Sequence, residues 1–372
     1  MRVVLSGGGT GGHVYPALAI AEQVVKEDAQ SEFLYIGTNS GLERDIVANS
    51  KLTMPFEAVE ISGFRRKLFS LDNVKTIARF FRGVSDAKKM LREFKPDVVI
   101  GTGGYVCGPV LYAAAKLGIP SMVHEQNVIP GMTNAFLSRY VSTVAVSFKG
   151  TESRFPKARN AVYTGNPRAT SVALADRRQG LRSLGLADDD QLVVVVGGSR
   201  GAKAINEAMI TVASQATKLP QLQFLFITGQ PHYEAAVAAI RGADGAAPRN
   251  VHVVPYIHNM PEVLAATKLI VSRAGASFLA EITSLGIPAI LIPSPYVTNN
   301  HQEHNARMLV DGGAAQMILE KDLNADTLLA SIQRITGSPF RIEEMANASR
   351  KMGQSDSAKL VVSEMHKLVR KL

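Results

Sequence analysis

Cysteine is almost absent from these 372 residues, and so is any long apolar run. The single thiol, Cys107, excludes an internal disulfide and fits a reducing compartment. Val106 and Gly108 flank it, so a packed thiol is expected rather than a nucleophile. No apolar stretch approaches the ~18 residues of a spanning helix. The run after Met1 is far too short for a signal-peptide core, and the expectation is a protein kept in the cytoplasm. No Gly-Lys pair occurs, which excludes a P-loop. The eight histidines form no His-Glu-x-x-His motif and no His/Cys cluster.

What is present is globular material with an unusual charge. Apolar residues make up 46%, and the length suits two domains that each bury a core without cross-links. The formal charge of +9 asks for an anionic partner: nucleic acid, a phosphorylated ligand or an acidic membrane surface. No helix-turn-helix, zinc or RNP motif accompanies the charge, so nucleic acid is not expected.

Short β-rich runs alternate with helix-period segments, the pattern of βαβ units and a parallel sheet. Strands are predicted at Arg2–Ser6, Phe33–Gly37, Val98–Gly101, Ser121–His124 and Thr143–Ser147. A second series runs Leu192–Gly197, Gln223–Thr228, Val251–Tyr256, Leu269–Ser272, Ala289–Pro293 and Ala315–Leu319. Helices are predicted over Ala17–Lys26, Ile205–Ala216 and Phe278–Leu285, the last stopped by Gly286 and Pro288. Phe155–Leu174 lacks helix periodicity and holds Gly165-Asn166-Pro167-Arg168. The junction is therefore placed there, giving domains 1–165 and 166–355. Asp356–Leu372 reads as an amphipathic helix rich in Lys and Arg.

Four strands run into glycine-rich turns: Ser6–His13, Gly101–Tyr105, Gly197–Ala202 and Arg273–Ser277. Glycine lets backbone approach a phosphate closely, and the helix start that follows offers N–H donors and a positive dipole end. Four such turns at strand ends predict binding clefts at the carboxyl edges of two sheets. Gly7, Gly9 and Gly12 match the dinucleotide pattern. Yet the second strand, ending Ile36-Gly37-Thr38, has no acid at its tip, which argues against NAD or FAD.

The run Ser6-Gly7-Gly8-Gly9-Thr10-Gly11-Gly12-His13, followed by Pro16, resembles the opening of the MurG family, the family-28 glycosyltransferases of peptidoglycan synthesis. So do Gly101-Thr102-Gly103-Gly104-Tyr105, His124-Glu125-Gln126-Asn127, Gly165-Asn166-Pro167-Arg168, Gly197-Gly198-Ser199-Arg200-Gly201-Ala202, Arg273-Ala274-Gly275-Ala276 and Asn300-His301-Gln302-Glu303. The resemblance implies an α/β GT-B fold, two Rossmann-like doubly wound domains facing a central cleft, with helix 356–372 returning to the first. It implies a UDP-GlcNAc-dependent hexosyltransferase. N-acetylglucosamine would move, with inversion, to the muramoyl 4-hydroxyl of undecaprenyl-diphosphate-linked MurNAc-peptide (lipid I), giving lipid II. Work at the cytoplasmic face of the membrane in cell-wall growth, shape and division, alongside cell-wall and division proteins, is implied with it.

By the same resemblance Ser199 contacts the UDP portion and Ile257 offers backbone to the uracil. Ala276, Ser277 and Phe278 open a helix toward the diphosphate, and Glu281 reaches the ribose hydroxyls. Gln302 and Asn305, three apart on one helix face, take the sugar hydroxyls, which amides suit because they both donate and accept. From the first domain Thr10, Gly11, Gly12 and Asn127 close over the donor. Arg168 is a phosphate or sugar contact. Arg200 and Arg273 either neutralise the diphosphate or are solvated.

An inverting transfer needs a base for the acceptor proton. His13, at a glycine loop where a helix starts, is the first candidate, since a helix N-terminus disfavours imidazolium. A loop-ordering histidine is the alternative. Glu125 is the second candidate base, and Tyr105 would position the acceptor. Asp188-Asp189-Asp190 contains a D-x-D but precedes a strand, away from every glycine loop. It is read as a turn, and neither metal nor other cofactor is expected. Between 64 and 94, Phe64, Leu68, Phe69, Leu71, Val74, Ile77, Phe80 and Phe81 interleave with Arg65, Arg66, Lys67, Lys75, Arg79, Arg82, Lys88 and Lys89. An apolar face bordered by cations suits docking on the anionic inner membrane surface; a helix packing its apolar side in the core is the plainer reading. A UDP-GlcNAc 2-epimerase and a diacylglycerol glycosyltransferase share the fold and stay open. The epimerase needs no docking face and no acceptor. A non-enzymatic nucleotide binder leaves the polar loop tips unexplained.

Overall fold

The computed structural model describes residues 1–61, 71–241 and 248–370, with side chains for all of these except 71–75. It divides into two compact units, Met1–Thr170 with Gln354–Leu372, and Ser171–Gly353.

The first unit alternates strands and helices: β1 (Arg2–Ser6), α1 (Gly11–Glu27), β2 (Glu32–Gly37), α2 (Glu43–Ala48), β3 (Phe56–Ala58), α3 (Leu71–Phe94), β4 (Val98–Gly101), α4 (Cys107–Lys116), β5 (Ser121–Glu125), α5 (Met132–Leu137), β6 (Thr143–Val146) and β7 (Ala161–Tyr163). All its strands are parallel, in the order β3-β2-β1-β4-β5-β6-β7. Parallel strands covered by helices on both faces must be apolar on both faces. Val3 and Leu5 face one core with α1, while Val4 between them faces another with α3 and α4.

α6 (Arg168–Val172) spans the boundary, and the second unit continues with α7 (Arg177–Ser183), β8 (Gln191–Val196), α8 (Lys203–Ala213), β9 (Leu222–Ile227), α9 (Tyr233–Ile240), β10 (Val251–Val254), α10 (Met260–Ala266), β11 (Thr267–Ser272), α11 (Ala276–Leu285), β12 (Ala289–Leu291), α12 (His301–Asp311), β13 (Ala315–Met317), α13 (Ala325–Thr336) and α14 (Pro339–Met352). Its sheet is also parallel, ordered β10-β9-β8-β11-β12-β13. Val193 and Val195 of β8 pack with Ile205 and Met209 of α8 and Leu328 and Ile332 of α13.

The last helix, α15 (Ser357–Val369), belongs to the first unit. Val361, Val362 and Met365 are fully buried with α1 and β1, roughly 1.5–3 kcal/mol apiece as an upper estimate. Its basic residues point outward, as an amphipathic segment requires; Lys371 and Leu372 lie outside the described residues.

Three details differ from the sequence reading. The division falls after Thr170, not 165, and the return at Gln354, not 356, so Gly165 to Arg168 belong to the first unit. β3 and β7 are additional strands. Each is a three-residue edge with no fully buried position, so neither carries the apolar run that marks an interior strand. Phe155–Leu174, read as lacking helix, holds the short α6, which is too brief to show a period.

Sheet order sets the sites. In each unit the direction of winding reverses between two neighbouring strands, β1/β4 and β8/β11. Loops leaving the carboxyl ends of such a pair diverge to opposite faces and leave a crevice. Those four strands are the ones followed by the four glycine turns.

Candidate functional site

In the first unit the turns after β1 and β4 lie against one another. Gly8 donates to the Gly103 carbonyl at 3.2 Å. Gly104 has φ +85°, and a Cβ on it would stand 2.3 Å from the Gly8 oxygen. Only glycine fits. Four buried groups hold the first turn. Tyr35 donates its hydroxyl to the Gly7 carbonyl at 2.7 Å. Thr102 donates to the His13 carbonyl at 2.7 Å and lies 3.3 Å from that of Ser6. Cys107 Sγ lies 3.0 Å from the Ser6 and Gly103 carbonyls, and burial pushes its thiol up to about 11. It is the packed thiol the sequence predicts, and no nucleophile.

Glu43 is the fourth group and was not foreseen. It opens α2, is fully buried, and accepts from Thr38 N–H (3.0 Å), the Thr38 hydroxyl (2.6 Å) and Gly9 N–H (3.2 Å). A Cβ on Gly8 would meet its Oε1 at 2.8 Å. An acid does reach the glycine turn, then, from the next helix rather than the strand tip, and its oxygens are occupied by protein donors.

His13 stands at the start of α1, half-buried. Its Nδ1 is 2.8 Å from the Gly8 carbonyl and 3.3 Å from the Thr10 hydroxyl. A carbonyl only accepts, so Nδ1 carries the proton, and in the neutral ring the lone pair sits on Nε2. That is the arrangement a base needs. Gly11 and Gly12 form the first turn of α1, and Thr10 caps it in extended conformation. The Tyr105 ring lies over Gly9, with Cε1 3.7 Å from where a Cβ would be. The Arg168 guanidinium sits 5.3 Å from the centroid of Tyr15, two residues past His13. The first unit thus gathers Thr10, Gly11, Gly12, His13, Tyr105 and, through Tyr15, Arg168.

Glu125 does not suit the role of second base. It is 2% exposed. Oε1 accepts from Asn127 N–H (2.9 Å) and Nδ2 (3.2 Å), and Oε2 from Gly131 N–H (3.0 Å) and Asn134 Nδ2 (2.8 Å). Four donors leave it no capacity for a substrate proton; it orders the loop that presents Asn127. Neighbouring His124 is equally structural. It donates Nε2–H to the Gly165 carbonyl at 2.9 Å, and burial lowers its pKa to about 4.

In the second unit the turn after β8 carries exposed Ser199 and Arg200, with Gly198 and Gly201 at positive φ. Gly201 abuts the Thr228 carbonyl, which a Cβ would approach to 2.0 Å. The turn after β11 leads into α11, where Ser277 and Phe278 are partly exposed, Ala276 is buried and Glu281 is 5% exposed. Among the described residues nothing lies within 4 Å of a Cβ placed on Gly275, so space stands open at this helix start. Ile257 follows β10, half-buried.

The two amides of α12 do share a face, but both hold protein. Asn305 is fully buried and donates to the Ala274 carbonyl at 3.2 Å; Gln302 accepts from Ser294 N–H at 2.9 Å. Asn305 therefore supports the β11 turn from behind. Arg273 is neither solvated nor loose. It donates to the Ile292 and Pro293 carbonyls (3.1 and 3.3 Å) and pairs with Glu320, fastening the ends of β11 and β12. Asp188–Asp190 lie at the amino end of β8, the opposite end from Ser199. Asp190 accepts from Ala187 N–H at 2.8 Å and Asp188 pairs with Arg178 at 3.7 Å. Among the described residues no group of three metal-ligating side chains occurs.

The basic-apolar segment is covered in part. Residues 64–70 lie outside the described residues, as do the side chains of Leu71, Val74 and Lys75. On α3, Ile77 and Phe81, one turn apart, are 48% and 61% exposed, and Arg79, Arg82 and Lys89 are exposed too. Phe80 instead packs on Tyr112 and Phe136, at 5.9 and 6.0 Å between centroids. Among the described residues no helix is long and apolar enough to cross a membrane.

Comparison with known proteins agrees with this geometry. The glycosyltransferase family 28 N-terminal domain matches residues 3–146 and the family 28 C-terminal domain residues 192–361. The chain is 52% identical over 371 residues to the UDP-N-acetylglucosamine--N-acetylmuramyl-(pentapeptide) pyrophosphoryl-undecaprenol N-acetylglucosamine transferase 1 of Bacillus cereus, with 100% of each covered. The crystal structure of Acinetobacter baumannii MurG matches with a TM-score of 0.79 and 31% identity, over 98% of this chain and 99% of that one. A UDP-GlcNAc 2-epimerase from Neisseria meningitidis shares the fold alone, at 16% identity and TM-score 0.71, over 99% and 100% of the two chains. With both domains matched in order and half of all residues shared with a relative along its whole length, the chain belongs to glycosyltransferase family 28.

Proposed function

We propose that this protein transfers N-acetylglucosamine from UDP-GlcNAc to the muramoyl 4-hydroxyl of undecaprenyl-diphosphate-linked MurNAc-peptide, converting lipid I to lipid II. The observation that carries this reading is the full-length 52% identity to a transferase bearing that name. The acceptor oxygen attacks the anomeric carbon from the side opposite UDP. The new C–O bond forms as the bond to the diphosphate breaks, and the hydroxyl proton passes to His13 Nε2. The fixed Nδ1–H to Gly8 bond supports that role, because it holds the lone pair on Nε2. Departing UDP gains charge, which the N–H groups at the start of α11 and in the Ser199 turn stabilise. Glu281 serves the ribose, Ile257 the uracil, and Gln302 the sugar. Thr10, Gly11, Gly12 and Asn127 complete the donor contacts, Arg168 meets phosphate or sugar, and Tyr105 positions the acceptor. No step needs a metal or other cofactor.

The test supplies labelled UDP-GlcNAc with lipid I and, separately, with diacylglycerol. Label is expected in extractable lipid only from the first mixture. Label in the diacylglycerol fraction would reassign the acceptor, and label in UDP-ManNAc without lipid would make the protein an epimerase.

Docking at the cytoplasmic membrane surface through α3 follows from a lipid-borne acceptor. Exposed Ile77 and Phe81, with Arg79, Arg82 and Lys89 beside them, support it. Changing Ile77 and Phe81 together to serine is expected to lower co-sedimentation with anionic vesicles several-fold, while turnover of a soluble acceptor analogue stays within twofold. Phe80 is left in place because it is packed against Tyr112 and Phe136. Unchanged sedimentation would refute docking through this face.

A further inference from the structure

Gln126, directly after β5, is 2% exposed and plays no part in the reaction as described. Its Nε2 is surrounded by acceptors: the Thr102 carbonyl at 2.7 Å, His124 Nδ1 at 3.0 Å and the His124 carbonyl at 3.0 Å. His124 Nδ1 accepts because the ring's proton, on Nε2, is given to Gly165. Turning the amide over would set its oxygen against three acceptors, so its orientation is fixed. The other atom, Oε1, is fully shielded and has no hydrogen-bond partner among the described residues. A shielded amide oxygen without a donor is costly and calls for a reason.

The surroundings supply one. A Cβ on Gly103 would lie 3.5 Å from Gln126 Oε1 and 3.0 Å from His13 Nε2. The bare face of one glycine therefore fronts both the unpaired oxygen and the nitrogen that takes the proton. We propose that Gln126 is a positioning residue for the base, its Oε1 held ready as the negative end of a dipole toward the imidazolium that His13 becomes. The proposal rests on His13 being the base. When the acceptor's proton reaches Nε2 the ring becomes positive, and an amide already locked by Thr102 and His124 needs no reorganisation to stabilise it. The same amide steadies Thr102, whose hydroxyl holds the His13 carbonyl.

The other titratable or charged groups around this point are Glu43 behind Gly8 and Gly9, Tyr105 over Gly9, Tyr35 at Gly7 and Cys107 against Gly103. His124 backs Gln126, Glu125 adjoins both in sequence, and Tyr15 of α1 carries the Arg168 guanidinium over its ring. Glu43 and Glu125 are bound by protein donors, and His124 is neutral above about pH 4.

The test measures kcat/KM against pH with UDP-GlcNAc and a soluble acceptor analogue, for the natural protein, His13→Ala, Gln126→Met and Gln126→Glu. The natural protein is expected to show an acidic limb that His13→Ala abolishes. Removing Oε1 disfavours the protonated ring, so Gln126→Met should move that limb down by roughly 0.5–1 pH unit and lower kcat several-fold, with both KM values held within about twofold. Gln126→Glu keeps an oxygen at the Oε1 position, but its second oxygen meets the Thr102 carbonyl and His124. It is therefore held as the acid that donates to Thr102 and should leave the limb nearer its natural position than methionine does. Gln126→Leu repeats the removal of Oε1 should the methionine variant fail to fold. A limb that stays put when Oε1 is removed but vanishes in His13→Ala overturns the proposal and leaves the base in place. A limb that persists in His13→Ala removes the base assignment and this inference with it.

Discussion

His13→Ala is expected to lower kcat by roughly two to four orders of magnitude, the usual contribution of a general base, with UDP affinity changed less than about threefold. The asymmetry follows from position. His13 opens a helix of the first unit, while the turns proposed for the donor diphosphate, after β8 and β11, belong to the second. Alanine removes the nitrogen proposed as the base without altering the N-cap of α1, which is Thr10. Stopped-flow or steady-state turnover, with UDP binding by calorimetry, makes the comparison. Equal losses in kcat and UDP affinity would make His13 a donor ligand.

Glu43→Ala is expected to destabilise the first unit by about 3 kcal/mol, since it strands three donors, two of them backbone N–H groups, in or beside the glycine turn. At roughly 2–4 °C per kcal/mol for a domain of this size, its melting point should fall by about 10 °C. Calorimetry gives the number. Activity should fall as well, because the Gly9 amide loses the acceptor that orders it. Glu43→Gln keeps one oxygen for Thr38 and should cost about half as much. A melting point within about 2 °C of the natural protein's, the size of an ordinary surface change, would show that the turn does not depend on this carboxylate.

The four glycine turns were legible because close backbone approach leaves its mark in residue type. Gly104 and Gly201 each sit where a Cβ would strike another loop's carbonyl. The place of His13 was legible for a related reason, since glycines mark the helix start on which it stands. Glu43 was not. It is a buried carboxylate, and nothing in Leu42-Glu43-Arg44 marks it. Glu125 and Asn305 show the opposite limit of residue type. Their residue types suit proton or hydroxyl chemistry, yet four donors saturate the first and the Ala274 carbonyl engages the second. Arg273, left open between phosphate partner and solvated rim, is a strut to Glu320 and two strand-end carbonyls.

By itself the sequence determined the alternation of strands and helices, the carboxyl-edge turns, the absence of a disulfide and the family, since each is written in local periodicity or in contiguous motifs. Only the tertiary structure decided which turns meet, where the chain passes between units, and which polar side chains are committed to protein. Strand order is set by pairing between distant segments, so β1 with β4 and β8 with β11 could not be read along the chain. Hydrogen-bond capacity is likewise a property of surroundings: the same carboxylate is a base where donors are few and a fastening where they are many.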